Sequence, residues 1–156
     1  MSSKKNPNKI IVASNRKARF DYFIEESFEV GIVLIGSEVK SLREGKANIN
    51  EAYAIEQNNE IYLMQAHISE YKGANQFNHE PKRARKLLLH RKQINKLIGK
   101  VKIKGYSLIP LEIYFNGKRM AKVTLALAKG KQNIDKRETI KEREWKREQS
   151  RLVRSK

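Results

Sequence analysis

An Asn116-Gly117 dipeptide between two apolar segments constrains the fold of this chain more than any other feature of its sequence. Asn-Gly in such a setting is the strongest short-range signal for a β-hairpin, and it suits a type I′ turn. The flanking segments, Leu108–Phe115 and Arg119–Ala128, are therefore predicted to be paired antiparallel strands. Large apolar side chains alternate with polar or small ones along the second strand, so we expect one of its faces to pack inside and the other to face solvent.

A strand and a short helix are predicted closer to the N-terminus. The segment Phe20–Ile35 is rich in aromatic and β-branched residues, which favours a long strand, and Gly31 indicates a bulge or bend within it. Gly36 interrupts this pattern, and Ser37 is placed to cap a short helix that runs to Arg43.

A second hairpin and a second helix follow. Glu51–Gln57 and Glu60–Ile68 are strand-like, and the Asn58-Asn59 pair between them tolerates the positive φ of a tight turn. The segment Lys72–Arg85 is interrupted by Gly, Pro and amide residues, which predicts a surface loop. An apolar stripe at helical spacing predicts a helix over Arg91–Lys104. Antiparallel strands with helices between them predict a mainly β fold built on a small closed, OB-like barrel.

The composition changes after Gly130, which divides the chain into a domain of residues 1–130 and a tail of residues 131–156. The tail has too few large apolar residues to build a core. It nevertheless contains a capping box, Thr139-Ile140-Lys141-Glu142, followed by charges at helical spacing. We therefore expect the tail to be disordered in the free protein and helical when a partner supplies a surface.

Charge indicates the kind of partner. The 34 Lys and Arg residues outnumber the 17 Asp and Glu residues, and residues 1–19 and 82–104 contain no acidic residue at all. One-signed blocks are typical of a surface that follows phosphates, although a solvated helix surface would also explain them. The sequence has no apolar run long enough to span a membrane, no signal-peptide pattern and no cysteine. A cytoplasmic nucleic-acid-binding protein is the resulting hypothesis.

Motifs for catalysis or cofactor binding are missing from the sequence. It contains no P-loop, no GxGxxG and no HExxH, and its histidines, His67, His79 and His90, are scattered. We therefore expect no cofactor, no metal and no catalytic residue. Glu29 stays open at this point, because it could be an ordinary strand residue or a functional one.

Five blocks of residues indicate a family. They are Asn15–Glu26, Gly36–Arg43 with Gly45–Asn48, Pro81 with Arg85–Leu89, Ala128–Lys131, and Asp135–Arg137 continuing into Ile140–Glu144. In this order and at this spacing they resemble the SsrA-binding protein family, also called small protein B, over nearly the whole chain. The resemblance implies a six-stranded antiparallel OB-like barrel with flanking helices.

The resemblance also implies binding to the tRNA-like domain of transfer-messenger RNA (tmRNA), the RNA of trans-translation. Lys and Arg side chains would hold phosphates, and Asn15 and Glu29 would contact bases or 2′-hydroxyls. The RNA-facing residues implied are Asn15, Lys17, Arg19, Glu29, Lys40, Arg43, Lys46, Asn48, Arg85, Lys86 and Leu88.

In this family the tail enters the decoding centre of a stalled ribosome and forms a helix there. The tail residues implied are Gly130, Lys131, Ile134, Asp135, Lys136, Arg137, Ile140, Lys141 and Trp145. Ile134 departs from the family, which often has an aromatic residue or His at this position, so its contact with ribosomal RNA should be weaker.

The function implied is that of a monomeric, non-catalytic adaptor, which delivers tmRNA to stalled ribosomes and stands in for the missing codon–anticodon pair. Two alternatives remain. A basic ribosomal protein would have tails of the same kind, and a metal-independent ribonuclease would use His67 or His79 together with a lysine.

Overall fold

The computed structural model describes residues 9–74, 78–103, 105–131 and 133–154, with the side chains of 133–135 and 153–154 left out. The helices and strands in chain order are β1 Ile10–Ser14, α1 Ala18–Asp21, β2 Tyr22–Ile32, α2 Gly36–Arg43, β3 Ala47–Asn48, β4 Tyr53–Gln57, β5 Glu60–Met64, β6 His67–Ile68, β7 Arg85–Leu88, α3 Arg91–Val101, β8 Tyr106–Phe115, β9 Ala121–Gly130 and α4 Asn133–Arg154. In the described ranges, no helix is both long enough and apolar enough to cross a membrane.

Six of the strands form a closed antiparallel ring in the order β8-β4-β5-β7-β2-β9, and β9 pairs back with β8. Strand β1 pairs with the end of β8 from Glu112 to Phe115. The short strands β3 and β6 form a separate two-stranded ribbon. This architecture confirms the predicted mainly β fold with flanking helices.

Alternation along the strands builds the interior of the ring. Its fully buried apolar side chains include Ile61, Leu63, Leu87, Leu108, Ile113, Val123, Leu125 and Leu127. Burial of each such side chain contributes roughly 1.5–3 kcal/mol. The stripe predicted for α3 is confirmed, because its Ile94 and Leu97 are buried in the same cluster.

The outer face of β9 is less exposed than the alternation predicts. Ala126 and Ala128 point away from the interior, yet both are buried in a second cluster with Ala18 of α1 and Ile109 of β8. The small side chains allow α1 to approach the sheet, and α1 also moves the start of the predicted strand from Phe20 to Tyr22.

The β8–β9 hairpin is confirmed, but its predicted type I′ turn is wrong. Phe115 pairs with Ala121, which leaves a five-residue loop, and the positive φ (59°) falls on Arg119. The side-chain oxygen of Asn116 accepts hydrogen bonds from the N–H groups of Lys118 and Met120, both at 3.0 Å. These bonds stabilise the wider loop in place of the two-residue turn.

The bulge or bend expected at Gly31 is not found there. The irregularity of β2 lies between Ile24 and Glu26, whereas Gly31 pairs regularly with Leu88 and Lys122. A Cβ on Gly31 would lie 3.2 Å from that of Leu88, so this glycine permits a close approach of two strands.

The α2 helix begins at Gly36 with Ile35 at the N-cap position, and not with a Ser37 cap. The carboxylate of Glu38, three residues into the helix, accepts the N–H of the N-cap residue Ile35 at 2.8 Å, as the third helical residue of a capping box does.

The middle of the chain is partly as predicted. Asn58 and Asn59 have positive φ (53° and 61°) and form the β4–β5 turn. The predicted second strand ends at Met64, since His67–Ile68 leaves the ring to pair with Ala47–Asn48. The predicted loop ends before Arg85, where β7 starts, and Lys104, the predicted end of α3, lies outside the described residues.

Candidate nucleic-acid interface

The exposed side of α2 and its neighbours form a basic surface, here called the α2 surface and consisting of Lys40, Arg43, Lys46, Asn48 and Tyr71. Lys40 and Arg43 are exposed on the helix, and the ammonium of Lys40 lies 5.5 Å from the centroid of the Tyr71 ring. The positive φ of Gly45 (73°) ends the helix and turns the chain toward the exposed Lys46 and Asn48. Four of the residues implied to face RNA therefore lie together.

The buried side of α2 is polar. Ser37, Glu38 and Ser41 are all buried, and apart from the Ile35 N–H their partners come from residues 69–85. The Ser41 hydroxyl donates to the carbonyl oxygen of Ser69 at 2.5 Å. Directional bonds, rather than apolar packing alone, therefore fix the orientation of the α2 surface.

Arg85 is the centre of this network and is a correction to the predicted RNA-facing set. Its guanidinium is fully buried, where Nε donates to Glu38, Nη1 donates to the carbonyl of Ala66 at 2.7 Å and Nη2 donates to that of Pro81 at 3.0 Å. Arg83, which is partly exposed, donates to the other oxygen of Glu38 at 2.6 Å. Because all three nitrogens of Arg85 are engaged inside the protein, its side chain supports the α2 surface and does not present a charge to RNA.

The pKa of Glu38 reflects opposing effects. Burial raises the pKa of this carboxyl. The hydrogen bonds from Arg83 and the Ile35 N–H and the charge of Arg85 together lower it by more, so that the net pKa lies below the ordinary value of 4.5. Burial lowers the pKa of the Arg85 guanidinium, and Glu38 opposes that shift. Arginine stays protonated in proteins, so this buried pair is ionic at neutral pH.

His79 is buried beside the same network. Its Nε2 lies 2.8 Å from the carbonyl oxygen of Ile68, which can only accept, so this nitrogen donates. Its Nδ1 then accepts the hydroxyl of Ser37 at 2.8 Å in the neutral ring. Both nitrogens are engaged, which leaves His79 poorly suited to act as the base of the ribonuclease hypothesis. The described part of the chain contains no cluster of three or more His, Cys, Asp or Glu side chains that could hold a metal ion.

A second group of predicted residues lies on the outer face of the ring, on strands β2 and β7. Glu29 is exposed there, and Leu88 is 52% exposed beside Gly31. Lys86 is half-buried, and its Nζ lies 4.0 Å from Oε1 of Glu60. The carboxylate of Glu29 accepts a hydrogen bond from the hydroxyl of Tyr114.

Two exposed apolar residues, which were not among the residues predicted from the sequence, link this group to α2. Val33 and Ile35 are 44% and 43% exposed, and the N–H of Val33 donates to the carbonyl of Lys86 at 2.9 Å. Val33 has the same strand parity as Glu29 and Gly31, which is the sequence signal that could have placed it on the outer face.

The N-terminal residues of the predicted set lie elsewhere, around α1. The N–H of Asn15 donates to the carbonyl of Leu111 at 2.8 Å, and its amide Nδ2 donates to Pro110 at 3.3 Å. Its Oδ1 is buried without a hydrogen-bond partner among the described residues, so it does not reach the surface in this conformation. Lys17 and Arg19 are exposed.

The first turns of the tail dock on α1. The N–H of Lys131 donates to the carbonyl of Asp21 at 2.8 Å, and its ammonium lies 4.8 Å from the ring centroid of Phe23. Lys136 forms an ion pair with Asp21 at 3.3 Å. The exposed residues of the predicted tail set are Gly130, Arg137, Ile140, Lys141 and Trp145. The side chains of Ile134 and Asp135 lie outside the described residues.

Comparison with known proteins gives a consistent result. The SmpB protein family matches residues 12–155. The SsrA-binding protein of Wolbachia pipientis subsp. Culex pipiens (strain wPip) is 62% identical over 142 residues, 91% of this chain and 95% of that protein. The SsrA-binding protein of Rickettsia bellii (strain OSU 85-389) is 60% identical over 148 residues, 95% of this chain and 98% of that protein. A solved structure described as "tmRNA-SmpB: a journey to the center of the bacterial ribosome" contains a chain that is 45% identical, with a TM-score of 0.66 and coverage of 81% of this chain and 92% of that one.

Proposed function

This chain belongs to the SmpB protein family, and we propose that it is a non-catalytic, cytoplasmic adaptor that binds the tRNA-like domain of tmRNA and brings it to stalled ribosomes. The α2 surface is the observation that carries the proposal. It joins exposed cations to a helix whose orientation is held by buried hydrogen bonds.

Electrostatics supports a folded RNA as the ligand. The net charge of +17 favours a polyanion, and Lys40, Arg43 and Lys46 are exposed where they can neutralise phosphates. The ammonium of Lys46 lies 3.1 Å from Glu44, so a phosphate would have to replace that carboxylate. Because the pair is exposed, replacing it costs little.

Shape and base contacts come from the outer face beside α2. Glu29 is an acceptor in a basic protein, and it can bind base N–H groups or a 2′-hydroxyl but not a phosphate. Leu88, Val33 and Ile35 offer apolar contact to unstacked bases. Together these side chains would read the folded elbow of the RNA.

The tail has a separate role in the proposal. Ile140 and Trp145 are exposed, the latter by 58%, so in α4 they contribute little packing energy. We propose that α4 unfolds in the free protein and refolds in the empty mRNA channel at the decoding centre. There Lys131, Lys136, Arg137 and Lys141 would meet ribosomal RNA, with Gly130 as the start of the segment.

Copurification tests the proposal against the ribosomal-protein alternative. The full chain carrying an affinity tag is expected to retain one small RNA with a tRNA-like domain after ribosomes are removed. Retention of ribosomal RNA alone would favour a ribosomal protein. Cleavage of the bound RNA that is abolished by His67→Ala would favour the ribonuclease.

A matched pair of variants locates the interface. Lys40→Ala with Arg43→Ala should weaken RNA binding about tenfold or more, since each loses a charged hydrogen bond. Lys146→Ala with Arg147→Ala removes the same charge from two exposed positions of α4, outside the proposed interface. Equal losses in the two variants would mean that net charge, and not the α2 surface, binds the RNA.

A further inference from the structure

The contact between Tyr114 and Glu29 crosses a strand. Glu29 in β2 pairs with Thr124 in β9, and Tyr114 in β8 pairs with Lys122 in the same strand. Strands β2 and β8 therefore flank β9, and the side chain of Tyr114 must reach across β9 to donate its hydroxyl to the carboxylate of Glu29.

Tyr114 is held firmly enough to position a partner. It is only 3% exposed although it lies on the outer face of β8. The ammonium of Lys9 lies 4.1 Å from its ring centroid and covers it, and Lys9 also forms an ion pair with Glu112. A covered ring has few alternative rotamers, so its hydroxyl stays directed at Glu29.

Glu112 and Glu29, the two carboxylates that flank Thr124, have different partners. Glu112 is neutralised by Lys9 and accepts the hydroxyl of Thr124 at 3.1 Å. The hydrogen-bond partner of Glu29 in the described structure is the uncharged Tyr114, and no cation pairs with Glu29 there. Tyr114 thus holds one oxygen of Glu29, and the other oxygen is left to accept from a ligand.

We propose that Tyr114 is a positioning residue for RNA recognition, which acts by holding one oxygen of Glu29 so that the other meets an RNA N–H or O–H donor. This inference rests on the proposed function, because it explains how Glu29 is oriented within the same RNA interface. A free, exposed glutamate would lose rotamer entropy on binding. Tyr114 fixes much of that side chain before the RNA arrives.

Tyr114→Phe tests the role because it removes the hydroxyl and keeps the ring. We expect RNA binding to weaken about threefold to tenfold, because the RNA itself must then immobilise the side chain of Glu29. The slope of log affinity against log salt should not change, because no phosphate contact is lost. The matched control is Tyr106→Phe, half-buried at the other end of β8, which should bind as the wild type does.

A double-mutant cycle separates positioning from stability. In a Glu29→Gln background, Tyr114→Phe should weaken RNA binding by much less than it does in the wild type. The side chain that Tyr114 positions then no longer carries the carboxylate that meets the RNA. Affinities are measured well below the thermal midpoints of all four proteins, so that a stability change does not enter. Full additivity of the two changes would overturn the positioning role.

The outcomes distinguish this inference from the function that it rests on. If Glu29→Gln weakens binding and Tyr114→Phe does not, the positioning role fails while the interface stands. If Lys40→Ala with Arg43→Ala leaves binding intact, the proposed interface itself fails.

Discussion

The guanidinium of Arg85 and the carboxylate of Glu38 form an ion pair in which neither side chain is exposed at all. One partner opens a strand and the other lies in the first turn of α2, so the pair joins the ring to the helix that carries Lys40 and Arg43. Removing two charges from water costs several kcal/mol, and this cost is offset only when every remaining group finds a partner. Here Ala66, Pro81, Ile35 and Arg83 complete the set.

Arg85→Ala should destabilise the protein strongly, because it leaves the carboxylate of Glu38 buried with only part of its neutralisation. Loss of one partner of a buried pair typically costs about 3–5 kcal/mol. Denaturant unfolding followed by circular dichroism measures the change. Arg83→Ala is the control, since Arg83 is partly exposed and should cost clearly less. Equal effects of the two substitutions would show that Arg85 is not the central partner.

The same carboxyl predicts how stability depends on acid. The pKa of Glu38 in the folded protein lies below its ordinary value of 4.5, so the unfolded chain binds a proton more readily than the folded one. The contribution of Glu38 to stability is therefore fully present above about pH 4.5 and is lost as pH falls through the folded pKa. The free energy of unfolding should fall less steeply below this pH in Glu38→Gln than in the wild type. Parallel acid profiles of the two proteins would contradict the assignment.

RNA binding should reside in the ring and its helices. A chain ending at Lys129 keeps the α2 surface and the outer-face residues, and it should bind the tRNA-like RNA almost as tightly as the full protein. Affinity should fall steeply with salt, with a slope of about −0.7 to −0.9 for each phosphate neutralised. Electrophoretic shift assays over a salt series measure both. A large loss on truncation would place part of the binding surface in the tail, and a flat salt response would exclude a phosphate-following surface.

Binding and function should separate in the tail. Replacing Asp135, Lys136 and Arg137 with Ala should leave RNA affinity and ribosome recruitment nearly unchanged, whereas tagging of stalled peptides should fail. Lys136→Ala also removes the ion pair with Asp21, so the single variant serves as the control for lost docking on α1. Tagging at the normal rate by the triple variant would assign decoding-centre recognition to the ring.

Hydrogen exchange on the free protein gives an independent check of the tail. We expect little protection from residue 133 onward, because helices in proteins gain most of their stability from packing. A protected α4 in the free protein would mean that the tail is permanent structure.

Local chemistry explains what could be predicted from the sequence and where the prediction stopped. The β8–β9 hairpin, the β4–β5 turn and the buried stripe of α3 follow from turn residues and side-chain periodicity within a few neighbours, so the sequence determined them by itself. The resemblance to the SsrA-binding protein family also implied a role for Lys40 and Arg43, the two cations that are exposed on α2.

Residues whose partners are distant in the chain acquire their roles when the strands assemble into the ring. Arg85 belongs to an acid-free block that indicates a surface cation, but Glu38, 47 residues earlier, brings it into the interior. Tyr114 and Glu29 are 85 residues apart and on strands that are not neighbours, so no periodicity links them. In each case the free energy of a polar group depends on which partner the closed ring brings within hydrogen-bond distance, and closure of the ring is a property of all six strands together.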